Sequence, residues 1–409
     1  MFKILLLLGS IVLFFLSVVI PNSMQNATAA CLVLCAVFAL PNIRLNRNFQ
    51  LLLSLYLLSC AVTVFYILVG LSAGAVQEAV QQTVIIYILS PLLWILIVSG
   101  LTNLLDDEAF RRWIMVFMML CVSTVPLFFY LFLQGYDDAV HFFIKEANVD
   151  LTEGNVAATI HVYGSFIFLS GGMFAAPGLV RGNAARVLVL SALAAVAITS
   201  GRSALMISIP TGVLLGLVLN SRMAPSAASP RSARGFRSVL QTGLVICAIL
   251  LAMAMTLDDI SLPYIFSNMV EKLTSGGGPA RAEQFNALMD GVARHWALGS
   301  GHGIGVNYLR NDDYPWRYEL VWVATILRVG VIGSLIYLLP FLTYVVVFLR
   351  RWSARRLSEL DIFFFAGFVT AFLASNTNPY VEAFTFQWMY ILPTAHLLNR
   401  GSARNGARQ

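Results

Sequence analysis

Apolar runs about as long as a bilayer is thick recur along almost the whole chain, separated by short polar breaks. Roughly 20 such residues cross the hydrocarbon core as an α-helix, in which every backbone hydrogen bond is satisfied internally. The chain is 59% hydrophobic and 11% charged, with a mean hydropathy of +0.80, which is outside the range of soluble domains. The runs lie near residues 3–20, 26–41, 50–72, 84–105, 113–134, 158–178, 187–200, 203–220, 238–257, 319–349, 361–376 and 386–398.

The sequence therefore predicts an all-α fold, a polytopic transmembrane helix bundle of about 12 helices that forms one domain over residues 1–409. One run, 319–349, is too long for a single straight span. We expect this helix to be tilted, or broken near Gly330, because glycine adopts backbone conformations that interrupt a helix.

The basic residues fall mainly in alternate loops, such as those containing Arg44, Arg111, Arg234 and Arg356. Short cytoplasmic loops are enriched in Lys and Arg, so this pattern predicts a multi-pass membrane protein with both termini in the cytoplasm. The net charge of +6 follows from the same bias. It is no indication of nucleic-acid binding, and the expected partners of the basic loops are anionic membrane lipids.

Two loops on the opposite, periplasmic side are too long to be simple turns. The smaller covers residues 135–157, and the larger covers 258–318 between the ninth and tenth predicted helices. Within the larger loop, residues 280–296 carry apolar side chains at helical spacing, which predicts a short amphipathic helix lying on the membrane. These side chains are Phe285, Leu288, Met289, Val292 and Trp296.

Neither the cysteines nor the histidines show the spacing of a metal site. The five cysteines lie inside apolar runs, where they act as small hydrophobic residues. We therefore expect no metal and no other cofactor.

Arg202 and Arg281 are the strongest candidates for binding an anion. Arg202 lies in Ser200-Gly201-Arg202-Ser203-Ala204, between two apolar runs with almost no loop, and a charge held at the membrane edge indicates a functional site. The alternative is an arginine that reaches from a helix end to the headgroups. Arg281 opens the predicted interfacial helix, where a guanidinium and backbone N–H groups can hold one anion together. Because guanidinium forks match phosphate oxygens, the pair predicts a pyrophosphate clamp.

Three further residues near or after the large loop are candidates for the same site. His302 lies in Gly299-Ser300-Gly301-His302-Gly303, where the glycines permit close backbone approach. Glu319 and Arg328 fall at the start of the long apolar run, where an unpaired charge is unfavourable and each should find a partner. Glu319 is a candidate general base; the alternative is that it only neutralises Arg317 or Arg202.

These elements, in this order, resemble the Wzy/WaaL group of O-antigen polymerases and ligases, which are multi-span glycosyltransferases of the GT-C kind. The matching pieces are the turn around Arg202, the large outer loop with Arg281, its stretch around His302, and Gly330-Val331-Ile332-Gly333 in the next helix. The likeness covers residues 187–350 in detail. One piece differs, because ligases of this group carry a histidine at the position that Glu319 occupies. This difference favours a polymerase, unless His302 has taken over the role of that histidine.

The resemblance implies metal-independent glycosyl transfer at the periplasmic face. The donor is a glycan on undecaprenyl pyrophosphate and the acceptor is a lipid-linked repeat unit, with a chain-length regulator protein as a further expected partner. The residues suit this chemistry: Arg202, Arg281, Arg317 and Arg328 can stabilise a departing pyrophosphate. Glu319 or His302 can take the acceptor proton.

Two alternatives remain open at this point. One is an O-antigen ligase that transfers the glycan to lipid A-core. The other is a lipid-linked sugar transporter or flippase, which would also have many helices and buried charges, although transporters place their charges near the bilayer midplane in two related halves.

Overall fold

We analysed a computed structural model of the chain, which describes residues 1–136, 138, 140–141, 148–150, 157–159, 163–199, 203–221, 239–245, 278–310, 312 and 314–406. The predicted helical fold is confirmed, since these residues are overwhelmingly helical. The exception is a two-stranded antiparallel ribbon, in which β1 (Asn148–Asp150) pairs with β2 (Ala157–Thr159). Most of the loops 135–157 and 258–277, together with Arg202, lie outside the described residues.

The described helices follow most of the predicted apolar runs, but residues 246–257 of the ninth run lie outside the described residues. The helices are α1 (Phe2–Phe14), α2 (Gln25–Ala39), α3 (Arg47–Ser72), α4 (Gln77–Thr83), α5 (Ser90–Leu104), α6 (Asp107–Leu133), α7 (Tyr163–Ala175), α8 (Asn183–Thr199), α9 (Ser203–Asn220), α10 (Gly278–Arg294), α11 (Val321–Ser353), α12 (Glu359–Ala374) and α13 (Trp388–Gly406). Residues 239–245 are also helical. Turns of π-helix extend α1 over Phe15–Val19 and join α4 to α5 over Val84–Leu89, and short 3-10 helices cover Leu40–Asn42, Pro177–Leu179 and Tyr380–Glu382.

Five helical stretches within the described residues are long and apolar enough to cross a membrane, judged by length and composition. They are Phe2–Val19, Gln25–Asn42, Arg47–Ser72, Gln77–Leu104 and Val321–Ser353. Shorter apolar helices occur at Gly164–Ala175, Asn183–Ala197 and Ala204–Asn220. The total of about twelve spans remains a prediction.

Helix packing forms one large apolar core. α7 packs on both α9 and α12, α13 packs on α5, and α3 packs on α11. Aromatic rings from distant parts of the chain meet in this core, for example Phe14 against Trp94 and Phe168 against Trp388. The core fixes the positions of the helix ends, on which the loops are mounted.

Polar contacts gather the loops at two ends of the bundle. At the basic end, Arg400 pairs with Asp107, and the Arg351 guanidinium donates to the Leu397 carbonyl at 2.8 Å. At the opposite end, the Thr385 hydroxyl donates to the Asn22 side chain at 2.7 Å. The connection between α1 and α2 therefore lies beside the one that precedes α13. We call the end that carries Asn22 and Thr385 the loop end.

α11 is broken at Gly330, as the length of its apolar run predicted. Gly330 has φ 67° and ψ 179°, so the helical backbone is interrupted there and resumes afterwards. A side chain at this position would be unfavourable twice over, because φ is left-handed and a Cβ would lie 2.6 Å from the carbonyl carbon of Leu298. The break separates a short segment at the loop end from a long apolar segment.

Candidate functional site

The candidate site residues that the structure describes lie at the loop end and form two groups. We call Arg281, Arg310 and Glu319 the outer cluster. We call Arg328, Glu382, Tyr87, His302 and Tyr337 the buried cluster. Arg202 lies outside the described residues, so its predicted pairing with Arg281 stays a prediction.

Glu319 holds two arginines in the outer cluster. The Arg281 Nε donates to Glu319 Oε2 at 2.9 Å, and the Arg310 Nη2 lies 2.9 Å from Glu319 Oε1. All three side chains keep partial contact with solvent, being 26%, 33% and 23% exposed for Arg281, Arg310 and Glu319. Two cations and one carboxylate leave the cluster with one net positive charge, in a position that a soluble anion can reach.

Neighbouring groups fix the backbone around the outer cluster. The buried side chain of Gln284, on α10, accepts hydrogen bonds from the backbone N–H groups of Glu319 and Leu320, each at 3.0 Å. The Arg281 Nη2 donates to the Thr377 carbonyl at 3.2 Å. The large loop, the start of α11 and the loop before α13 therefore meet at this cluster.

Glu319 thus has ion-pair partners, but not the Arg317 that the sequence offered as an alternative. Arg317 is half-buried, with its guanidinium carbon 5.3 Å from the centre of the Tyr314 ring. Within the described part of the chain no carboxylate pairs with it. Arg317 therefore adds a further positive charge to the same stretch of loop.

The buried cluster centres on an ion pair between Arg328 and Glu382, whose side chains are only 5% and 4% exposed. The Arg328 Nη2 donates to the Trp316 carbonyl at 2.8 Å, and its Nη1 lies 3.2 Å from the Tyr87 hydroxyl. The Tyr87 hydroxyl donates to Glu382 Oε1 at 2.6 Å. Every partner of Arg328 is therefore within the protein, as a charge with little solvent requires.

His302 belongs to this buried cluster and not to the outer one. Its Nε2 lies 3.1 Å from the Tyr337 hydroxyl, and its ring centre is 5.0 Å from that of Tyr87. Burial, together with the nearby positive charge of Arg328, lowers the pKa of His302 to about 3. The imidazole is therefore neutral at physiological pH and is a weak proton acceptor.

The predicted close approach of the glycine-flanked loop is confirmed at Gly301. This residue has φ +94°, and a Cβ on it would lie 2.3 Å from the backbone nitrogen of Gly70 on α3. The neighbouring His302 N–H donates to the Tyr66 carbonyl at 2.9 Å. The loop is thus pressed directly onto the backbone of α3, which carries His302 into the protein interior.

The same loop completes the hydrogen bonding of the broken α11. The Ser300 and Gly301 N–H groups donate to the carbonyls of Leu327 and Arg328 at 2.7 and 3.0 Å, and the Val331 N–H donates to the Ala297 carbonyl at 3.0 Å. The loop therefore satisfies the backbone groups that the break releases. The loop is thereby bonded to the backbone of Arg328 itself.

An apolar cavity of about 350 Å³ lies beside the buried cluster. Its walls come from α3, the α4–α5 stretch, α11, α12 and α13. Tyr87 and Tyr337 of the buried cluster form part of the wall, and so do Val321 and Trp322, which follow Glu319 by two and three residues. The cavity therefore extends from the charged loop end into the apolar bundle.

The predicted amphipathic helix is present as α10, but its apolar face is divided. Leu288 and Val292 are buried against the protein together with the first part of α11, while Phe285 and Met289 are exposed. A 3–4 spacing could not distinguish these faces, since both contain apolar residues. The predicted contact with a membrane concerns only the exposed part.

Sequence reasoning missed Arg310, Glu382, Tyr87 and Tyr337. Only Glu382 had a usable signal: it is the one charged residue between Asp361 and Arg400, and a lone carboxylate in an apolar region requires a partner.

Among the described residues, no three His, Cys, Asp or Glu side chains come together as metal ligands. No protein-family profile matches this chain, and no curated protein matches it.

Proposed function

We propose that this protein is a surface-polysaccharide (O-antigen) polymerase of the bacterial inner membrane, a glycosyltransferase that uses an undecaprenyl-pyrophosphate-linked donor at the periplasmic face. The observation that carries the proposal is the outer cluster, in which two partly exposed arginines and one carboxylate have a net positive charge. The wall of an apolar cavity begins at Val321, two residues after Glu319 in the chain. A lipid pyrophosphate has this combination, an anion joined to a long hydrocarbon chain.

The transfer itself is a substitution at the anomeric carbon of the donor sugar. The acceptor hydroxyl oxygen forms a bond to that carbon while the bond to the pyrophosphate oxygen breaks, and the bonding electrons leave with undecaprenyl pyrophosphate. Negative charge grows on the leaving group, and preorganised guanidinium groups in a partly dehydrated site stabilise it. Arg281 and Arg310 supply these groups, and Arg317 and Arg202 are further candidates.

Glu319 is the proposed acceptor of the hydroxyl proton. In the structure both of its oxygens are engaged by arginines. A pyrophosphate competes for the same guanidinium groups, so donor binding releases the carboxylate for proton transfer. This exchange makes the base available only when the leaving group is in place, and the low pKa of His302 makes the imidazole the weaker candidate.

Arg328 and His302 receive a different role from the one expected of them. Both are almost completely buried and bonded within the protein. We assign them to positioning: they hold the loop before α11 and the loop before α13 against α3 and α11. The outer cluster is assembled from those same loops.

The experiment that tests the polymerase assignment is deletion of the gene followed by gel analysis of the surface polysaccharide. A single attached repeat with no ladder supports a polymerase. Loss of all attached repeats, with lipid-linked polymer accumulating, identifies a ligase. Complementation with Arg281→Ala should fail and complementation with Arg294→Ala, an exposed arginine at the end of the same helix, should succeed.

The transporter alternative has one observation in its favour, a buried ion pair beside a broken helix, which is a feature of transporter sites. Reconstituted protein distinguishes the two functions. Flipping of a lipid-linked sugar without chain elongation would replace the enzyme proposal, whereas elongation with donor and acceptor on the same side of the bilayer would exclude the transporter.

The proposed orientation is tested with reporter fusions. We expect cytoplasmic signals after Arg234 and Arg356 and a periplasmic signal after Gly277, because alternate loops hold the excess of basic residues. A cytoplasmic signal at Gly277 would place the clusters on the wrong side for a periplasmic enzyme.

A further inference from the structure

Trp296, just beyond the end of α10, is an exposed indole on a strained turn. Its side chain is 86% exposed. Trp296 and Ala297 have φ values of 53° and 56°, a left-handed conformation that is unfavourable for residues with a Cβ. The neighbouring Leu298 is exposed as well. A turn that glycine or asparagine would form more easily therefore projects two large apolar side chains outward.

Hydrogen bonds attach this turn firmly to two long helices. The Ala297 carbonyl accepts from the Val331 N–H at 3.0 Å, where α11 resumes after its break. The Tyr66 hydroxyl of α3 donates to the Leu298 carbonyl at 2.6 Å. The level of Trp296 along the bundle is therefore fixed relative to Tyr66 and Val331.

The surface of α11 changes character at the same level. From Val321 to Gly330 every residue is buried or half-buried. Immediately after the break, Val331, Ile332 and Leu335 are exposed, and Ile332 reaches 70%. The exposed apolar side chains of α11 thus begin at Val331. This pattern is typical of a helix that enters lipid at that residue.

Helix length agrees with this change. The whole of α11 has 33 residues, or about 50 Å at 1.5 Å per residue, far more than a hydrocarbon core of about 30 Å. The segment Val331–Ser353 alone measures about 34 Å, which is one span. On α3, Arg47 and Tyr66 are separated by about 28 Å. The last turn of α3, with exposed Leu68 and Leu71, falls within the interfacial layer that adds several ångströms on each side.

We propose that the membrane–water interface at the loop end passes through Trp296, Tyr66 and Val331. Trp296 then anchors the large loop in the phospholipid leaflet, at the depth where the acyl chains join the glycerol. Indole and phenol rings favour that depth, since each has an apolar body and a polar N–H or O–H group. The inference rests on the membrane embedding that the proposed function assumes.

This level has a consequence for the two clusters. Arg328 and Glu319 precede Val331 on α11, so both lie at headgroup depth or above it and not in the hydrocarbon core. The cavity, which extends from Val321 to Phe341 along α11, crosses the interface. An anion held at the outer cluster would then be level with the phosphates of the leaflet, while a chain attached to it could enter the cavity from the same depth.

The test is depth-dependent quenching of one indole. Intact protein and the Trp296→Phe variant are reconstituted in phospholipid bilayers brominated either near the glycerol end or near the methyl end of the acyl chains. Because the chain has seven tryptophans, the difference in emission between the two proteins isolates Trp296. We expect this difference to lose more intensity with shallow bromines than with deep ones. Equal or greater loss with deep bromines, or no loss with either, would overturn the proposal.

Spin labels on α11 show whether a negative result means that the interface lies at another level or that the bundle is not embedded in a membrane. Single cysteines at Ile332 and Leu342, in a variant without the native cysteines, should report increasing depth in that order. If Leu342 is in hydrocarbon but the Trp296 signal is unquenched, the bundle spans the bilayer and the interface level is wrong. If neither label reaches hydrocarbon, the membrane embedding itself fails.

Discussion

The outer and buried clusters contain the same chemical groups, arginine and glutamate, but differ in what surrounds them. In the outer cluster about a quarter to a third of each side chain is exposed, whereas the Arg328 and Glu382 side chains of the buried cluster are only 5% and 4% exposed. Arg328 has a carboxylate, a phenol and a carbonyl as partners within the protein. An anion could reach Arg281 and Arg310 by displacing one carboxylate, whereas reaching Arg328 would require opening the packed cluster.

The difference shows how a charge pattern in a sequence can serve two purposes. The surroundings of the outer arginines leave them able to exchange one anion for another. The buried pair offers no such exchange and instead holds segments that are far apart in the chain, since Arg328 and Glu382 are 54 positions apart. Substitutions in the two clusters should therefore affect different quantities, turnover in one and stability in the other.

The largest effect is expected for Glu319→Gln. This change keeps the shape of the side chain but removes its basicity, so turnover should fall by about 10²–10⁴ if Glu319 takes the acceptor proton. Turnover is measured per folded molecule in a chain-elongation assay. Glu283→Gln, an exposed carboxylate on α10, is the matched control. Reduced yield of folded protein with normal turnover would mean that Glu319 is only an ion-pair partner, and loss in His302→Gln instead would transfer the role to His302.

In the buried cluster we expect Glu382→Ala to lower the free energy of unfolding by about 3–5 kcal/mol, because it leaves the Arg328 charge buried and unpaired. Thermal unfolding in detergent measures the change. The double variant Glu382→Leu with Arg328→Met should recover much of the loss, since it removes both charges. A single variant as stable as the parent protein would show that water reaches Arg328, and the contrast between the clusters would disappear.

The third prediction tests whether the outer cluster binds its anion through a guanidinium fork. Arg281→Ala should lower turnover by about 10²–10³, the usual effect of losing one preorganised donor to a developing negative charge. Arg281→Lys should restore little, because an ammonium cannot donate two parallel hydrogen bonds. Arg294→Lys serves as the control. Near-normal turnover in Arg281→Lys would leave only a requirement for positive charge.

The sequence predicted the helices and the helix break, but it did not predict which charged residues pair with each other. Helix length and glycine chemistry were enough to predict the break at Gly330, and apolar runs located the helices because the membrane-spanning requirement is local in the chain. The partner of Glu319 could not be predicted, since Arg281 and Arg310 approach it from different parts of the loop. Likewise, burial separates Arg328 from Arg281, and burial depends on packing between segments that no local pattern describes.

The α10 helix illustrates the same limit. Its apolar residues at 3–4 spacing predicted a helix, and the helix is present. The pattern could not show that Leu288 and Val292 contact the protein while Phe285 and Met289 remain exposed, because a protein core and a lipid surface select the same side chains. Only the position of α11 beside α10 distinguishes the two faces.

The smallest expected effect is a pH dependence of stability that arises from His302, which faces Tyr87, Tyr337 and Arg328. Its pKa is about 3 in the folded protein and 6.5 in the unfolded chain, so the unfolded chain binds the additional proton first as pH falls. The stabilisation is complete above pH 6.5 and is lost progressively as pH falls toward 3. In His302→Gln this contribution is absent, and the decrease in melting temperature over that window should be shallower than in the parent protein. The matched control is His295→Gln, at an exposed histidine. Parallel curves for the parent and His302→Gln would mean that the imidazole becomes protonated within the folded protein, and the buried cluster would then be accessible to water in the same way as the outer one.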